Sequence, residues 1–276
     1  MILSALMTCH NRRASTVACL AAFFSQDLPP GWEPRVTLVD DASTDGTAEE
    51  VRARFPKVQV VEADGTLFWC RGMRAAWKHA ARDTPDAYLW LNDDTLLLPA
   101  ALRRLLEVWS GAEAAGRPDT IVVGAVRDPD TGQYVYGGQR RAGRNPARVD
   151  PVGPSTRVEA CDTFQGNCVL VPREVFERVG LIDSFQHGMG DTDYGLRAVR
   201  AGCRILVAPG YSAECPNNPK RGQWLNRSLS RRERWRLLRN RKELPPGDWL
   251  KFMRRHGGFA WPLYFLSPYL RVLLGR

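Results

Sequence analysis

The seven cysteines, Cys9, Cys19, Cys70, Cys161, Cys168, Cys203 and Cys215, are odd in number, scattered, and free of any C-x-x-C pair. That argues against a disulfide framework and against a zinc site, and predicts reduced thiols in a cytosolic protein. The opening MILSALMTCHN lacks a basic leader, a long apolar core and a small-residue cleavage site, so no secretory signal is expected. No repeat or low-complexity segment is present. The apolar, aromatic stretch FAWPLYFLSPYLRVLL (259–274) is too short for a membrane span and is interrupted by Pro262, Pro268 and Arg271.

What is there is 276 residues, 44% of them hydrophobic, enough for one large α/β domain or a domain with an appendage. The charge is unevenly placed. Residues 217–276 hold 15 Lys+Arg against 3 Asp+Glu, whereas residues 1–216 hold 24 against 27. A mildly acidic body with a basic tail points to an anionic surface, either a membrane leaflet or nucleic acid, or else to a solvated helical face.

The N-terminal half alternates strand and helix signals at βαβ spacing. Strands are predicted at 2–8, 35–39, 57–61, 87–91 and 120–126. Helices are predicted at 13–26, 47–55, 70–82 and 99–109, the last with Pro99 at its first position. Such alternation implies a mostly parallel sheet with helices on both faces and ligands beyond the carboxyl ends of the strands. Residues 127–160 read as a hairpin and surface loop, followed by a strand at 167–172, a short helix, a helix ending at Gly202 and a strand at 203–209. Beyond Pro216, Ser230 and Glu233 suit a capping box for a basic helix over 231–244, stopped by Pro245–Pro246.

Three acidic clusters stand out. YLWLNDDTLL drives an apolar strand into Asn92, Asp93 and Asp94. Adjacent carboxylates at a strand end suit a hard divalent cation shared with substrate phosphates, or cap the following helix. VDDASTDGT ends the second strand at Asp40 and Asp41; an Asx turn accounts for its later residues but not for this pair. HGMGDTDYGLRA places Asp191 and Asp193 at a helix start, where the macrodipole favours carboxylates, beside Gly188 and Gly190, which allow close backbone approach.

The succession MTCHNR, VDDASTDGT, LWLNDDT and QGNCVLVPREVFERVGLIDSFQHGMGDTDYGLRA resembles, over residues 1 to about 215, the family 2 glycosyltransferases. The likeness is closest to bacterial polysaccharide enzymes of the rhamnosyltransferase-like kind. It implies an α/β GT-A fold, a Rossmann-like mostly parallel sheet that binds a nucleotide-sugar. Residues 1–215 would form the catalytic domain, with a nucleotide-sugar half (1–126) and an acceptor half (127–215), and 216–276 a basic helical extension. On this resemblance Thr8 lines the base, and Asp40 and Asp41 contact base and ribose. Asp93 faces the donor and Asp94 binds the metal, Mg2+ or Mn2+, that bridges its diphosphate. Asn92 stands where many relatives have Asp, which leaves the division between Asp93 and Asp94 open. Asp191 matches the catalytic base, with Asp193 its substitute, and Gly190–Asp191 replaces the usual ED doublet. Gly166 and Asn167 match the segment that approaches the transferred sugar. Arg71 is a diphosphate contact or a plain surface arginine. His187 joins the metal or the leaving group, or is a loop histidine without such a role.

The implied reaction is inverting hexosyl transfer from a UDP- or dTDP-sugar to a glycan or lipid-linked acceptor in the cytoplasm. The tail is expected to anchor on the inner membrane face through Trp261, Tyr264 and Tyr269, or to pack on the catalytic domain, or to form a homodimer contact. Two rivals are a sugar nucleotidyltransferase and a nucleic-acid-binding protein. TCHNRRAST has the arginines of a triphosphate loop without its glycines, and nucleic-acid binding leaves the acidic clusters unexplained.

Overall fold

The computed structural model describes residues 1–217 and 222–275. Lys220, Arg221 and Arg276 of the basic tail lie outside the described residues. The strands are β1 (Ile2–Cys9), β2 (Glu33–Asp40), β3 (Val58–Glu62), β4 (Ala87–Leu91), β5 (Leu96–Leu97), β6 (Thr120–Arg127) and β7 (Tyr134–Tyr136). They continue with β8 (Gly138–Arg141), β9 (Val149–Val152), β10 (Glu159–Ala160), β11 (Thr163–Phe164), β12 (Cys168–Pro172) and β13 (Arg204–Glu214). The helices are α1 (Arg13–Phe24), α2 (Thr47–Arg54), α3 (Phe68–Ala80), α4 (Ala101–Ala114) and α5 (Arg173–Val179). After these come α6 (Gly190–Arg200), α7 (Arg231–Leu238), α8 (Pro246–His256) and α9 (Trp261–Leu273).

The main sheet runs β10-β13-β6-β12-β4-β1-β2-β3. Its β3-β2-β1-β4 half is parallel throughout, with Cys9 opposite Asp40 and Leu6 opposite Trp90. The strands β1, β2 and β4 therefore end on one rim, as the alternation predicted. The predicted strand at 120–126 does not adjoin β4. Antiparallel β12 lies between β4 and β6, pairing Cys168 with Leu91 and Val169 with Val123. This inversion brings the start of β12 to the rim where β4 ends. Strands β8 and β9 form the expected hairpin, in a second sheet with β11.

Both faces of the sheet are covered. On one, Cys19, Leu20 and Phe23 of α1 and Leu102, Leu105 and Leu106 of α4 pack on Leu3, Leu38 and Leu89. On the other, Met73 and Trp77 of α3 and Tyr194 of α6 pack on Tyr88, Trp90 and Val171. Trp249, Phe252 and Met253 of α8 belong to this second core, so part of the basic extension is built into the body.

Two boundaries moved for local reasons. Pro99 precedes α4 instead of opening it, because Ala100 adopts a left-handed φ of 58°. The capping box at Ser230 and Glu233 is formed, but α7 ends at Leu238, six residues before the expected 244. Glu243 is turned aside there, and its carboxylate accepts from the amides of Gly222 at 2.9 Å and Gln223 at 3.2 Å.

Candidate active site

The loops leaving β1 and β2 are laced together by backbone and side-chain hydrogen bonds. The Asn11 amide donates to Ser43 Oγ at 2.9 Å, and the Thr44 amide donates to Asn11 Oδ1 at 2.7 Å. Asp40 and Asp41, both buried, organise this rim. Asp40 Oδ1 accepts the Ser43 amide at 2.8 Å. Asp41 gathers three amides, from Gly65 at 2.9 Å, Leu67 at 3.0 Å and Phe68 at 2.8 Å. It thereby fixes a loop in which Gly65 and Phe68 both take positive φ, and from which α3 starts. Thr8 is buried against that helix, where a Cβ at Gly72 would meet its Oγ1 at 2.3 Å. Arg71, half-buried on the first turn of α3, pairs with no acid among the described residues.

At the end of β4 the two carboxylates differ. Asp93 is 7% exposed, and its Oδ2 has no hydrogen-bond partner. Burial pushes its carboxyl up to about 7, against the pull of Arg12 and aided by the charge of Asp94. Asp94 Oδ2 is ion-paired to Arg12, whose Nη1 is also 3.5 Å from Asp93 Oδ1. Cys215 Sγ donates to Asp94 Oδ1 at 3.4 Å. Burial and the Asp94 charge push that thiol up to about 12, so it stays a protonated donor. The adjacent carboxylates of Asp93 and Asp94, with one buried oxygen left without a hydrogen-bond partner, fit a hard divalent ion. Among the described residues no group of three or more His, Cys, Asp or Glu side chains is placed to hold a metal alone.

The start of β12 completes the rim. The Asn92 amide donates to the Asn167 carbonyl at 3.2 Å, and Asn167 Nδ2 lies 3.4 Å from Thr95 Oγ1. Trp69 Nε1 donates to Asn92 Oδ1 at 2.7 Å, tying the loop held by Asp41 to the Asp93–Asp94 turn. The Gly166 amide donates to Asp191 Oδ2 at 3.2 Å. Asp41, Asp94 and Asp191 are thus linked through Trp69, Asn92 and Gly166 along a single rim. His187 is half-buried in the loop before α6.

Asp191 and Asp193, two residues apart on α6, face different surroundings. Asp193 is 0% exposed and holds Arg197 at 2.9 Å, Arg255 at 2.7 Å and His256 at 2.9 Å. Although burial opposes ionisation, these partners hold its carboxyl below the usual range. It is a structural anion, occupied on both oxygens, and not a substitute for Asp191. Neither Arg12 nor Trp69 was among the sequence-derived site residues. Arg12 lies within MTCHNR and Trp69 just before Arg71, but the partner of each is distant in sequence, some 80 residues away for Arg12 and 23 for Trp69.

Comparison with known proteins bears on the family and the fold. The family model described as Glycosyl transferase family 2 matches residues 4–180. The N-acetylglucosaminyl-diphospho-decaprenol L-rhamnosyltransferases of two Mycobacterium tuberculosis strains are 28% identical over 202 residues, 63% of this chain and 64% of theirs. The chain thus spans a little less than two thirds of these curated relatives. Among solved structures, a mannosyltransferase from Pyrobaculum calidifontis in complex with GDP-Man and Mn2+ superposes with a TM-score of 0.58 at 18% identity, over 99% of this chain and 73% of the other. GalNAc-T7 with UDP, GalNAc and Mn2+ gives 0.59 at 14% identity, over 98% of this chain and 54% of the other. TarS from S. aureus gives 0.56 at 14%, over 99% and 81%. At such identities the superpositions establish the fold, which is of the GT-A type. The family match, over residues 4–180 and so most of the sheet, places the chain in glycosyl transferase family 2.

Proposed function

We propose that this protein transfers a hexose from a UDP- or dTDP-sugar to a hydroxyl of a glycan or lipid-linked acceptor in bacterial surface polysaccharide synthesis, inverting the anomeric centre. The curated relatives, named for rhamnosyl transfer to a lipid-linked N-acetylglucosaminyl diphosphate, support the acceptor class. Two of the structural relatives hold a sugar nucleotide or nucleotide together with Mn2+, which supports the donor class. Seven free, buried cysteines support a cytoplasmic location.

The observation that carries the reading is the Gly166–Asp191 contact, which brings a carboxylate from α6 to the rim holding Asp93 and Asp94. In this reading Thr8, Asp40 and Asp41 line the nucleoside, the two aspartates using lone pairs beyond those their amides occupy. Asp94, beside Asp93 and with His187 as a second candidate ligand, would hold Mg2+ or Mn2+, and the ion would supply Lewis-acid stabilisation of negative charge on the donor diphosphate. Arg12 and Arg71 add positive charge on the same side. Gly166 and Asn167 present backbone to the transferred sugar. Asp191 accepts the proton of the attacking hydroxyl from the face opposite the leaving group.

A thermal-shift screen of sugar nucleotides with Mn2+ or Mg2+ tests this, since a ligand that binds only the folded chain raises its unfolding temperature. The expected result is stabilisation by a UDP- or dTDP-sugar that requires the metal, followed by transfer to give the inverted anomer by NMR. Stabilisation by no sugar nucleotide contradicts it.

A further inference from the structure

Helix α9 has two faces of opposite use. Trp261, Tyr264, Phe265 and Tyr269, three of which were expected at a membrane boundary, pack inward on the core instead. Trp235 of α7 meets Tyr269 edge-on at 5.7 Å, and Trp249 Nε1 of α8 donates to the Phe265 carbonyl at 3.1 Å. The outward face shows Leu263, Leu266, Leu270, Leu273 and Leu274, between 45% and 72% exposed, with Phe259 fully exposed just before the helix. Spacings of three and four residues put these leucines on one stripe. They contribute nothing to the interior, and a contiguous apolar stripe of this length marks an interaction surface.

Charge selects the occupant. A groove of about 730 Å³ beside the stripe is lined by Leu225, Leu263, Leu270 and Leu274, with Arg227 and Arg271 at its wall. No acidic residue occurs in α9, and residues 222–275 hold 12 Lys+Arg against 3 Asp+Glu. A second copy meeting this face across a two-fold axis sets arginine-rich surface against itself. An anionic bilayer offers hydrocarbon to the leucines and phosphate to the arginines at once.

We propose that the leucine face of α9 docks in the interface of an anionic lipid bilayer, with Arg227 and Arg271 at the lipid phosphates. No helix among the described residues is long and apolar enough to cross a membrane, so the contact is with one leaflet. The inference goes beyond sugar transfer and does not rest on it. It does have a consequence for the site. Helix α8, bonded to α9 through Trp249, also grips the loop before α6: Asp248 Oδ2 accepts the Gln186 amide at 2.8 Å, and Lys251 and Arg255 pair with Asp183 at 2.6 and 2.8 Å. The docking face and the segment carrying Asp191 are therefore one braced unit.

Co-sedimentation of the full chain with vesicles tests the proposal. Vesicles of phosphatidylcholine mixed two to one with phosphatidylglycerol are expected to pellet the protein, and phosphatidylcholine alone to leave most of it in the supernatant. Leu263→Ser combined with Leu270→Ser should lower partitioning by about tenfold or more. Arg227→Ala and Arg271→Ala should each lower it by about fivefold, an effect lost in high salt. All four positions are at the surface, so unchanged unfolding temperatures confirm that the variants remain folded. Wild-type protein that stays in solution with anionic vesicles overturns the proposal. So does a leucine variant that pellets like wild type, or a dimer in sedimentation velocity that the leucine changes dissociate without any vesicle binding.

Discussion

The backbone amide of Gly166 lies 3.2 Å from Asp191 Oδ2, donating to it across 25 residues of sequence. This contact joins the first turn of α6 to the start of β12, and because β12 runs antiparallel to β4 its start lies at the rim where β4 ends. The inverted strand therefore brings the Gly166–Asp191 contact to the rim from which the Asp93–Asp94 turn leaves β4.

Gly166 has no room for a side chain. A Cβ there would sit 2.8 Å from the Trp69 ring and 3.2 Å from Trp90. Gly166→Ala should cost about 1–3 kcal/mol and displace Trp69 from Asn92, weakening donor binding as well. Gly111→Ala, in α4 with nothing within 4 Å of its Cβ, should instead gain up to about 1 kcal/mol. Chemical denaturation of the two variants checks the contrast; equal effects would mean that the packing around Trp69 yields freely.

Asp94 is at present neutralised by Arg12. With Asp94→Ala, the stabilisation that metal and sugar nucleotide give together should fall to that given by the nucleotide alone. Chelation of the metal should do the same to the wild type, while leaving Asp94→Ala unchanged. A variant that keeps the full metal-dependent rise in unfolding temperature would remove Asp94 from the metal site.

Asp193 should behave as a structural residue. Asp193→Ala strands Arg197, Arg255 and His256 around a buried void and should destabilise the fold by about 3–5 kcal/mol. Any loss of transfer should follow the loss of folded protein, and should be recovered per folded molecule when the assay is cooled. Loss of turnover in a fully stable Asp193→Ala would instead assign it chemistry.

His256 makes the fold sensitive to mild acid. Burial lowers its pKa, with Asp193 opposing and the Arg200 and Arg255 charges reinforcing the fall. Its Nε2 lies 2.9 Å from Asp193 Oδ1 and its Nδ1 3.4 Å from an Arg200 nitrogen, the arrangement of a neutral ring donating to the carboxylate and accepting from the guanidinium. The unfolded chain takes up a proton near pH 6.5, before the folded chain does, so this group's contribution is lost as pH falls below that value. The depressed Asp193 acts lower, losing its contribution as pH drops below the ordinary carboxylate range. Between pH 7 and 5.5 the unfolding temperature of wild type should fall more steeply than that of His256→Gln. Parallel slopes would contradict the assignment.

Much of this architecture was legible in the sequence because it is written locally. Apolar strands running into Asp40–Asp41 and Asn92–Asp94 mark the sheet and its rim, and Ser230 with Glu233 marks a helix start. Contacts between distant segments were not legible. Arg12 is an ordinary arginine until folding sets it on Asp94, and Asp193 resembles a site residue until Arg255 and His256, some 60 residues on, enclose it. For the aromatic tail the sequence left a membrane boundary and packing on the catalytic domain both open, for the same reason. Composition shows that α9 is amphipathic, but not that its aromatic face is the one the core claims.

The central claim is that carboxylates from β4 and α6 meet on one rim, the first for the donor and the second for the proton. Its most direct test pairs donor affinity with turnover in Asp191→Asn, an isosteric change that leaves the Asp93–Asp94 turn intact. Titration calorimetry should give a donor Kd within about threefold of wild type, while the transfer rate falls by about a hundredfold or more. Transfer at near wild-type rate, or loss of donor binding in its place, would contradict the account.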